Sequence, residues 1–316
     1  MPRRTSAMLR SRVCATMLVA AAASVWSGCD GTFSGTFSFD GDLFSFQFRF
    51  PETSTDTSTV SVPVDGVTTL KVVTRNGSIR VGVDSSRTDA RVRVFKFANS
   101  SSQAAASELL ENIAVDIKRS GDNDEILEIA VTLPNPDGTT SRSFEFGGNG
   151  RTGVSFNITL PTGLILDLAT DNGPITVVGN TGPAKVRTTN GGIVVDGNAG
   201  DCDLATTNGA IIADRVNGNL LARATNGAIE AHVTPPAETP MVDLSTSNGS
   251  IRLEVPINVK AGLDLRSSAG LVSADLTGFA VTGLSRTRSR VTATLNGGGG
   301  TIKAATTAGF VDFEGL

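Results

Sequence analysis

The side chains best able to do chemistry in this chain are one histidine, three cysteines and a group of aspartates. General-base or nucleophilic catalysis needs a histidine or a thiol beside a suitable partner, and a metal site needs several ligands at short spacing. His232 precedes the Pro-rich stretch VTPPAETP and has no evident nucleophile or carboxylate partner. The sequence therefore predicts a loop histidine and no catalytic residue.

Four aspartates that are close in sequence could suggest calcium binding or the acidic cluster of a carbohydrate-active solenoid enzyme. These are Asp196, Asp201, Asp203 and Asp214. In the repeat described below, however, Asp203 shares an outward position with Asp167, Lys185 and Asp243. A mixed, solvated face is the better interpretation. Since Walker loops, zinc spacings and GxSxG motifs are also missing, we predict no metal and no cofactor.

The first 28 residues have the pattern of a signal peptide. Four arginines precede the apolar stretch VCATMLVAAAASV (13–25), which is too short to span a bilayer. Small residues then lead to Cys29, as in the lipobox of bacterial lipoproteins. We predict a protein anchored to an envelope membrane through acylated Cys29. The alternative is plain secretion or a periplasmic location, with cleavage after the A-x-A run at Ala21–Ala23.

The composition of the mature chain excludes some partners. Removing four arginines from the 27 basic residues leaves 23 against 31 acidic ones, a net charge of −8. Such a balance argues against nucleic acid. The chain has no Tyr, and its single Trp lies in the signal segment. It therefore lacks the aromatic side chains that dominate recognition hot spots and sugar-stacking platforms.

The phrase TxNGxI recurs along the C-terminal half of the chain, often every 18 residues. An isoleucine lies three residues after each asparagine, and the positions four and six residues before it are apolar, so alternate positions face inward. Cys202 occupies one of these inward positions and is predicted to be a buried small hydrophobe. The turn residues, which we predict to form stacked turns with an asparagine amide ladder, are Asn76, Gly77, Asn172, Gly173, Asn190, Gly191, Asn208, Gly209, Asn226, Gly227, Asn248 and Gly249.

Two all-β architectures fit this period. In a β-solenoid each repeat is one coil, and equivalent residues stack on one another. In an antiparallel meander or sandwich each Asn-Gly closes a hairpin. Unbroken register over consecutive repeats favours the solenoid. It predicts that Ile193 contacts Ile175 and Ile211, one coil away on either side.

The remaining segments predict the domain organisation. Residues 29–60 would be a lipidated, Phe-rich strand followed by a linker at 51–60, and 61–316 would form the solenoid domain, with regular repeats over about 161–316. One short helix at 101–113 and a hairpin around 121–124 form an insertion over about 100–135. The Phe-rich strand and the final stretch FVDFEGL (310–316) are candidate caps for the ends of the solenoid.

Residues 61–316 resemble a bacterial family of candidate adhesins, a β-strand-repeat domain of unknown function. The matching segments are LKVVTRNGSIRV (70–81), the helix and hairpin, FNITLPTGLILDL (156–168) and the serial T-x-NG-x-I units. The resemblance implies an envelope-exposed β-solenoid. We therefore expect a non-enzymatic protein that contacts an unknown envelope or surface protein. The alternatives are an envelope-stress sensing or scaffold module, which the same family suggests, and a carbohydrate-active solenoid enzyme.

Overall fold

The structure is a computed structural model that describes residues 32–39, 42–49, 52–134, 151–234 and 239–316. Residues 1–31, which include the predicted signal peptide and Cys29, lie outside the described residues. The elements before the regular repeat are β1 (Thr32–Phe39), β2 (Asp42–Arg49), β3 (Glu52–Pro63), β4 (Thr69–Asn76), β5 (Ile79–Val83), β6 (Asp89–Ser100), α1 (Gln103–Glu111), β7 (Ala114–Ser120), β8 (Ile126–Thr132) and β9 (Arg151–Leu160).

The repeat region adds sixteen strands to the described fold. They are β10 (Ile165–Asn172), β11 (Ile175–Val178), β12 (Ala184–Asn190), β13 (Ile193–Asp196), β14 (Cys202–Asn208), β15 (Ile211–Val216), β16 (Leu220–Asn226), β17 (Ile229–Val233), β18 (Met241–Asn248), β19 (Ile251–Val255), β20 (Ala261–Ser267), β21 (Val272–Ala274), β22 (Val281–Arg286), β23 (Arg290–Leu295), β24 (Gly300–Ala308) and β25 (Val311–Gly315).

The strands of the repeat stack as a β-solenoid made of two facing sheets. Each coil gives one strand to a 12-stranded sheet (sheet I, order β22-β23-β20-β24-β18-β16-β14-β12-β10-β4-β8-β7) and one to an 11-stranded sheet (sheet II, order β21-β25-β19-β17-β15-β13-β11-β5-β9-β6-β3). Ile193 lies beside Ile175 in one neighbouring coil and beside Ile211 in the other, in parallel register. The prediction of a solenoid is confirmed, and the meander is excluded.

Alternation of apolar and polar residues decides which side chains enter the space between the sheets. Leu166 and Leu168 of sheet I face Ile175 and Val177 of sheet II, and all four are fully buried. Burying a side chain of this size contributes about 1.5–3 kcal/mol relative to leaving it exposed. Because each coil repeats the same inward positions, the core is a continuous column along the solenoid axis.

The Asn-Gly turns bring the backbone of one coil into contact with the backbone of the next. A Cβ placed on Gly191 would overlap the carbonyl group of Gly173 in the neighbouring coil, and Gly209 stands in the same relation to Gly191. No side chain larger than hydrogen fits this column. Close approach, more than an unusual φ, explains why glycine follows each asparagine.

At both ends of the solenoid the order of coils in space differs from their order in sequence. The coil of β4 and β5 lies between that of β10 and β11 and that of β8 and β9, although β8 and β9 come between them in the chain. The coil of β24 and β25, the last in the sequence, lies between that of β18 and β19 and that of β20 and β21. The first and last coils are therefore held on both sides.

Antiparallel strands close both described edges of sheet I and one edge of sheet II, whose other edge is β21, parallel to β25. Sheet I ends in β7 at one edge and in the β22–β23 hairpin at the other, while β6 and β3 extend sheet II beyond β9. The prediction that residues 310–316 form a cap is wrong, because β25 is enclosed between β19 and β21. At the three antiparallel edges the change from parallel pairing ends the repeat geometry, so a further coil could not stack there in the same register.

The structure confirms the predicted helix and hairpin outside the repeat. Helix α1 and the β7–β8 hairpin lie where predicted, and Ser102 caps the helix by accepting a hydrogen bond from the Ala105 N–H at 3.2 Å. No helix within the described ranges is long and apolar enough to cross a bilayer.

The linker prediction for 51–60 is wrong over most of its length, because residues 52–63 form β3, paired with β6. The Phe-rich segment forms β1 and β2, which pair with each other and not with either large sheet.

The glycine column gives a direct test of the stacked turns. We expect Gly191→Ala to lower the free energy of unfolding by about 1–3 kcal/mol, because the new Cβ overlaps backbone that cannot move without shifting a coil. Gly192→Ala is the matched control: the atom nearest its Cβ is the Ala210 carbonyl oxygen at 3.3 Å, and the neighbouring coils carry Pro174 and Ala210 at that position. The control should change stability by less than about 0.5 kcal/mol. Urea unfolding followed by circular dichroism measures both. Equal effects of the two substitutions would contradict the stacking.

Candidate interaction surface

The asparagines of the Asn-Gly turns form one continuous amide ladder along a corner of the solenoid. The Nδ2 of Asn190 donates to the Oδ1 of Asn172 at 2.8 Å, and the Nδ2 of Asn208 donates to the Oδ1 of Asn190 at 2.8 Å. The same bond joins Asn172 to Asn76, Asn226 to Asn208 and Asn248 to Asn226, while Asn76 donates to the carbonyl of Thr152. Each amide is thus bonded to the amide of a neighbouring coil. This bonding favours a structural role over a ligand-binding row.

The threonine two residues before the asparagine, present in all these turns but that of Asn226, completes the turn. The Thr206 Oγ1 donates to the carbonyl of Gly191 at 2.9 Å, and the Thr188 Oγ1 donates to that of Gly173 at 3.1 Å. These inward hydroxyls satisfy carbonyl groups that the stacked turns would otherwise leave buried and unpaired. Threonine, asparagine and glycine of the repeated phrase therefore all serve the turn.

Cys202 lies in the core and not at an accessible site. Its side chain is 3% exposed and stacks between Ala184 and Leu220 of the neighbouring coils. Burial raises the pKa of its thiol to about 12, although a hydrogen bond with the Asn198 amide opposes the shift. A thiol with this pKa supplies almost no thiolate near neutral pH, so Cys202 is not suited to nucleophilic attack.

His232 differs from its prediction as a loop histidine. It is in β17, and its Nδ1 lies 3.0 Å from the Oδ1 of Asp214 in the adjacent coil. Arg215 bridges Asp214 and Asp196 in the same network. The sequence could not reveal the pair, because its members are 18 residues apart and meet only when coils stack. No nucleophile is part of this network.

The four aspartates near position 200 do not converge. Asp196 and Asp214 belong to sheet II, whereas Asp203 lies on sheet I and pairs with Arg187 at 2.6 Å. Asp201 accepts a hydrogen bond from the N–H of Asn219. Within the part of the chain that the structure describes, no three His, Cys, Asp or Glu side chains are grouped as a metal site would require. The stack separates these carboxylates between two faces.

The outer face of sheet I intermixes positive and negative side chains. One outward column alternates in sign over most of its length, and the Nζ of Lys71 lies 2.8 Å from the Oε1 of Glu128 at one end. Asp264 at the other end pairs with Arg266 and Arg290, and the hydrogen bond from Arg266 lowers its pKa. From β8 to β20, this column runs Glu128, Lys71, Asp167, Lys185, Asp203, Leu221, Asp243, Lys303 and Asp264.

The outer face of sheet II separates its charges instead. We define the sheet II outer face as the outward side chains of the nine strands β6, β9, β5, β11, β13, β15, β17, β19 and β25, in that order. Its middle column runs Arg93, Asn157, Arg80, Thr176, Val194, Ile212, Glu230, Arg252 and Asp312. Basic residues occupy one end, apolar residues the centre and mainly acidic residues the other end.

The basic end of this face has no internal partner. Arg80, Arg91 and Arg93 are exposed and form no ion pair with any described residue, and the Arg93 guanidinium lies 5.9 Å from the ring centroid of Phe95. In the apolar centre, Val178 and Ile212 are 43% and 39% exposed. Sequence reasoning missed this surface because β6 carries no repeat motif. The alternation of ARVRVFKF gave the only signal, since it places Arg91, Arg93 and Phe95 on one side.

Comparison with known proteins gives one family match. A family model described as Toastrack DUF4097 matches residues 33–313. No curated protein matches the sequence significantly.

Three solved structures illustrate the similarity at low identity. A candidate cell adhesion protein from Clostridium sporogenes has 12% identity and a TM-score of 0.30, covering 83% of this chain and 100% of the other. A candidate adhesin from Bacteroides fragilis has 14% identity and a TM-score of 0.39, with 83% and 97% covered. One from Parabacteroides merdae has 12% identity and a TM-score of 0.25, with 82% and 96% covered.

The buried thiol can be tested by labelling. In a variant in which Cys14 and Cys29 are replaced by alanine, Cys202 should not react with a thiol reagent at pH 8 until the chain is unfolded, because the folded core excludes the reagent and holds the thiol protonated. Mass spectrometry before and after guanidinium addition measures the labelling. Ser247→Cys, at an exposed position beside the asparagine ladder, should be labelled at once in the folded protein. Rapid labelling of Cys202 in the native state would show that the column is open to solvent.

Proposed function

The chain belongs to the Toastrack DUF4097 family, and on that premise we propose that it is a non-enzymatic, lipid-anchored protein of the bacterial envelope. Its solenoid provides a rigid surface for contact with another protein, as an adhesin does. Acylated Cys29 holds it to the membrane. The sheet II outer face is the contact surface.

The observation that carries this proposal is the difference between the two outer faces. Sheet I alternates positive and negative side chains along its outward column, so it offers a partner no region of one charge. Sheet II leaves Arg80, Arg91 and Arg93 without described ion-pair partners beside the exposed Val178 and Ile212. Complementary charges around an apolar centre give a protein interface its specificity and its desolvated core.

The shape of the scaffold supports a display role. Twelve strands of sheet I at about 4.8 Å spacing give a rod roughly 50 Å long. The amide ladder joins the coils from Asn76 to Asn248, and the glycine contacts continue to Gly309 and Gly270, so the outward columns keep their relative positions. Because a partner meets a preorganised surface, binding costs little free energy for ordering side chains and loops.

Three observations support a role without catalysis. Burial and a raised pKa disfavour Cys202 as a nucleophile. His232 lies within hydrogen-bond distance of Asp214, whose other neighbour is Arg215, and no described nucleophile contacts it. The aspartates that might serve a carbohydrate-active enzyme are divided between opposite faces. These arrangements favour interaction over the enzyme alternative.

The lipid anchor is tested by Cys29→Ala. Without the thiol no acyl chain can be attached, so most of the protein should move from the membrane pellet to the soluble fraction. Cys202→Ala is the control: alanine already occupies this column at position 184, and this variant should stay in the pellet. Immunoblots of the fractions, with a trypsin-sensitivity check of folding, give the measurement. If Cys29→Ala is retained as fully as the parent, the lipoprotein assignment is wrong.

The contact surface is tested by capture from a solubilised envelope fraction. The tagged protein should retain its partner, whereas Arg80→Glu with Arg93→Glu should lose it, because two positive charges of the contact face become negative. Lys185→Glu with Arg223→Glu makes the same charge change on sheet I and should leave capture intact. Mass spectrometry of the captured proteins separates the alternatives. A surface protein supports adhesion, and a membrane kinase or transporter supports envelope-stress sensing. Equal capture by both variants would contradict the choice of face.

A further inference from the structure

We propose that the sheet II outer face is self-complementary and binds a second copy of this chain. The two copies would be related by a two-fold axis that runs parallel to the strands and passes over Val194 in β13. This inference rests on the proposal that the face is the contact surface, and it names the partner. It does not depend on the lipid anchor.

The two-fold relation follows from counting strands outward from β13. Such an axis reverses the order of strands and keeps each outward column facing itself. Strand β6 lies four strands from β13 on one side, and β25 lies four strands from it on the other. In a face-to-face pair, β6 of each copy therefore lies over β25 of the other.

The outward residues of these two strands match position by position. Arg93 of β6 and Asp312 of β25 occupy the middle column, while Arg91 and Glu314 occupy the column on one side. In the remaining column Phe95 corresponds to Phe310, and their exposures are 36% and 57%. Two arginines and a phenylalanine thus meet two carboxylates and a phenylalanine. An isologous interface requires this relation between its two halves.

Strands closer to the axis follow the same rule. Arg80 lies two strands to one side of β13 and Glu230 lies two strands to the other, so they face each other across the axis. Thr176, Val194 and Ile212 fill the centre with uncharged side chains. Opposite charges therefore meet at two distances from an apolar middle.

Two further positions decide whether the pairing is tolerated. Asp196 meets its own copy near the axis, but Arg215 forms an ion pair with it within each chain. Arg252 faces the uncharged Asn157, and it is already paired with Glu254 and Glu314. No like charges meet without a neutralising neighbour in these columns.

The residues nearest the centre also allow the sheets to approach. The column that begins with Phe95 and ends with Phe310 passes through Pro174, Gly192, Ala210 and Ala228, which are all small or compact.

The area of the face is also large enough for a stable contact. Nine strands at about 4.8 Å span roughly 40 Å, and three outward positions span about 15 Å. The face therefore offers roughly 600 Å² per copy, near the size of a standard protein–protein interface, about 800 Å² per partner.

The test uses the processed chain carrying Cys29→Ala, so that no acyl group drives association. Analytical ultracentrifugation over a concentration series should show a monomer–dimer equilibrium that weakens as salt rises, because partly exposed ion pairs are screened. Arg80→Glu with Arg93→Glu, and separately Glu230→Arg with Asp312→Arg, should each raise the dissociation constant at least ~100-fold. All four side chains lack an ion-pair partner within the described residues, and Lys185→Glu with Arg223→Glu on sheet I should leave the constant unchanged.

Mixing the two reversed variants gives the decisive measurement. Each variant alone brings like charges together, whereas a mixed pair restores an opposite charge at every altered position. The mixture should therefore form heterodimers with a dissociation constant within about 10-fold of the parent, which unfolded chains could not do. Arg93→Glu and Asp312→Arg as single substitutions provide a second pair if a double variant does not fold.

The outcomes separate this inference from the proposed function. A parent chain that sediments as a monomer throughout, or a mixture that fails to recover dimers, overturns the self-association. If the monomeric chain still captures another envelope protein through the same arginines, the proposed function stands with a different partner. If it dimerises as described but captures nothing else, the self-association stands alone.

Discussion

The contact of glycine backbone on glycine backbone at the Asn-Gly turns is the constraint on which the rest of the structure depends. Because the turns of neighbouring coils touch there, every coil must return to the same place before the next begins. Register then follows: isoleucine stacks on isoleucine, threonine reaches the neighbouring glycine carbonyl, and asparagine amides bond in series. Outward side chains become columns for the same reason. One steric condition thus produces both the core and the surface.

Much of the repeat could be predicted from sequence, because its signals are local. The 18-residue spacing, the inward position of Cys202 and the short helix all depend on nearby residues. The polar strand β3 was missed because Thr and Ser on both sides remove the apolar alternation that marks a strand. The Asp214–His232 pair required knowledge of which coils touch. Similarly, self-similarity identifies equivalent residues but does not say which coils are neighbours, so the altered coil order at both ends was not predictable.

The candidate surface also has a part that the sequence predicted and a part that it did not. The sequence identified the turn asparagines and glycines, and the structure gives them neighbours within the turns, which leaves the outward columns free to vary. On sheet I this freedom produced alternating charge, and on sheet II it produced segregated charge. Arg91, Arg93 and Phe95 join that second face only because β6 pairs with β9 in a register that places them outward. Position in the sheet, rather than any motif, makes these residues part of a surface.

The enclosed first and last coils have a consequence for how the chain becomes native. A solenoid with coils in sequence order can assemble progressively as it leaves a ribosome or a secretion channel. Here the strand pair at 261–274 has no parallel neighbour in place until residues 300–315 arrive and occupy the gap beside it. Completion of this end therefore waits for residues 300–315. Strands β24 and β25 join two parts of the solenoid that precede them in sequence, so a chain lacking residues 300–315 would leave β20 and β21 separated from β18 and β19.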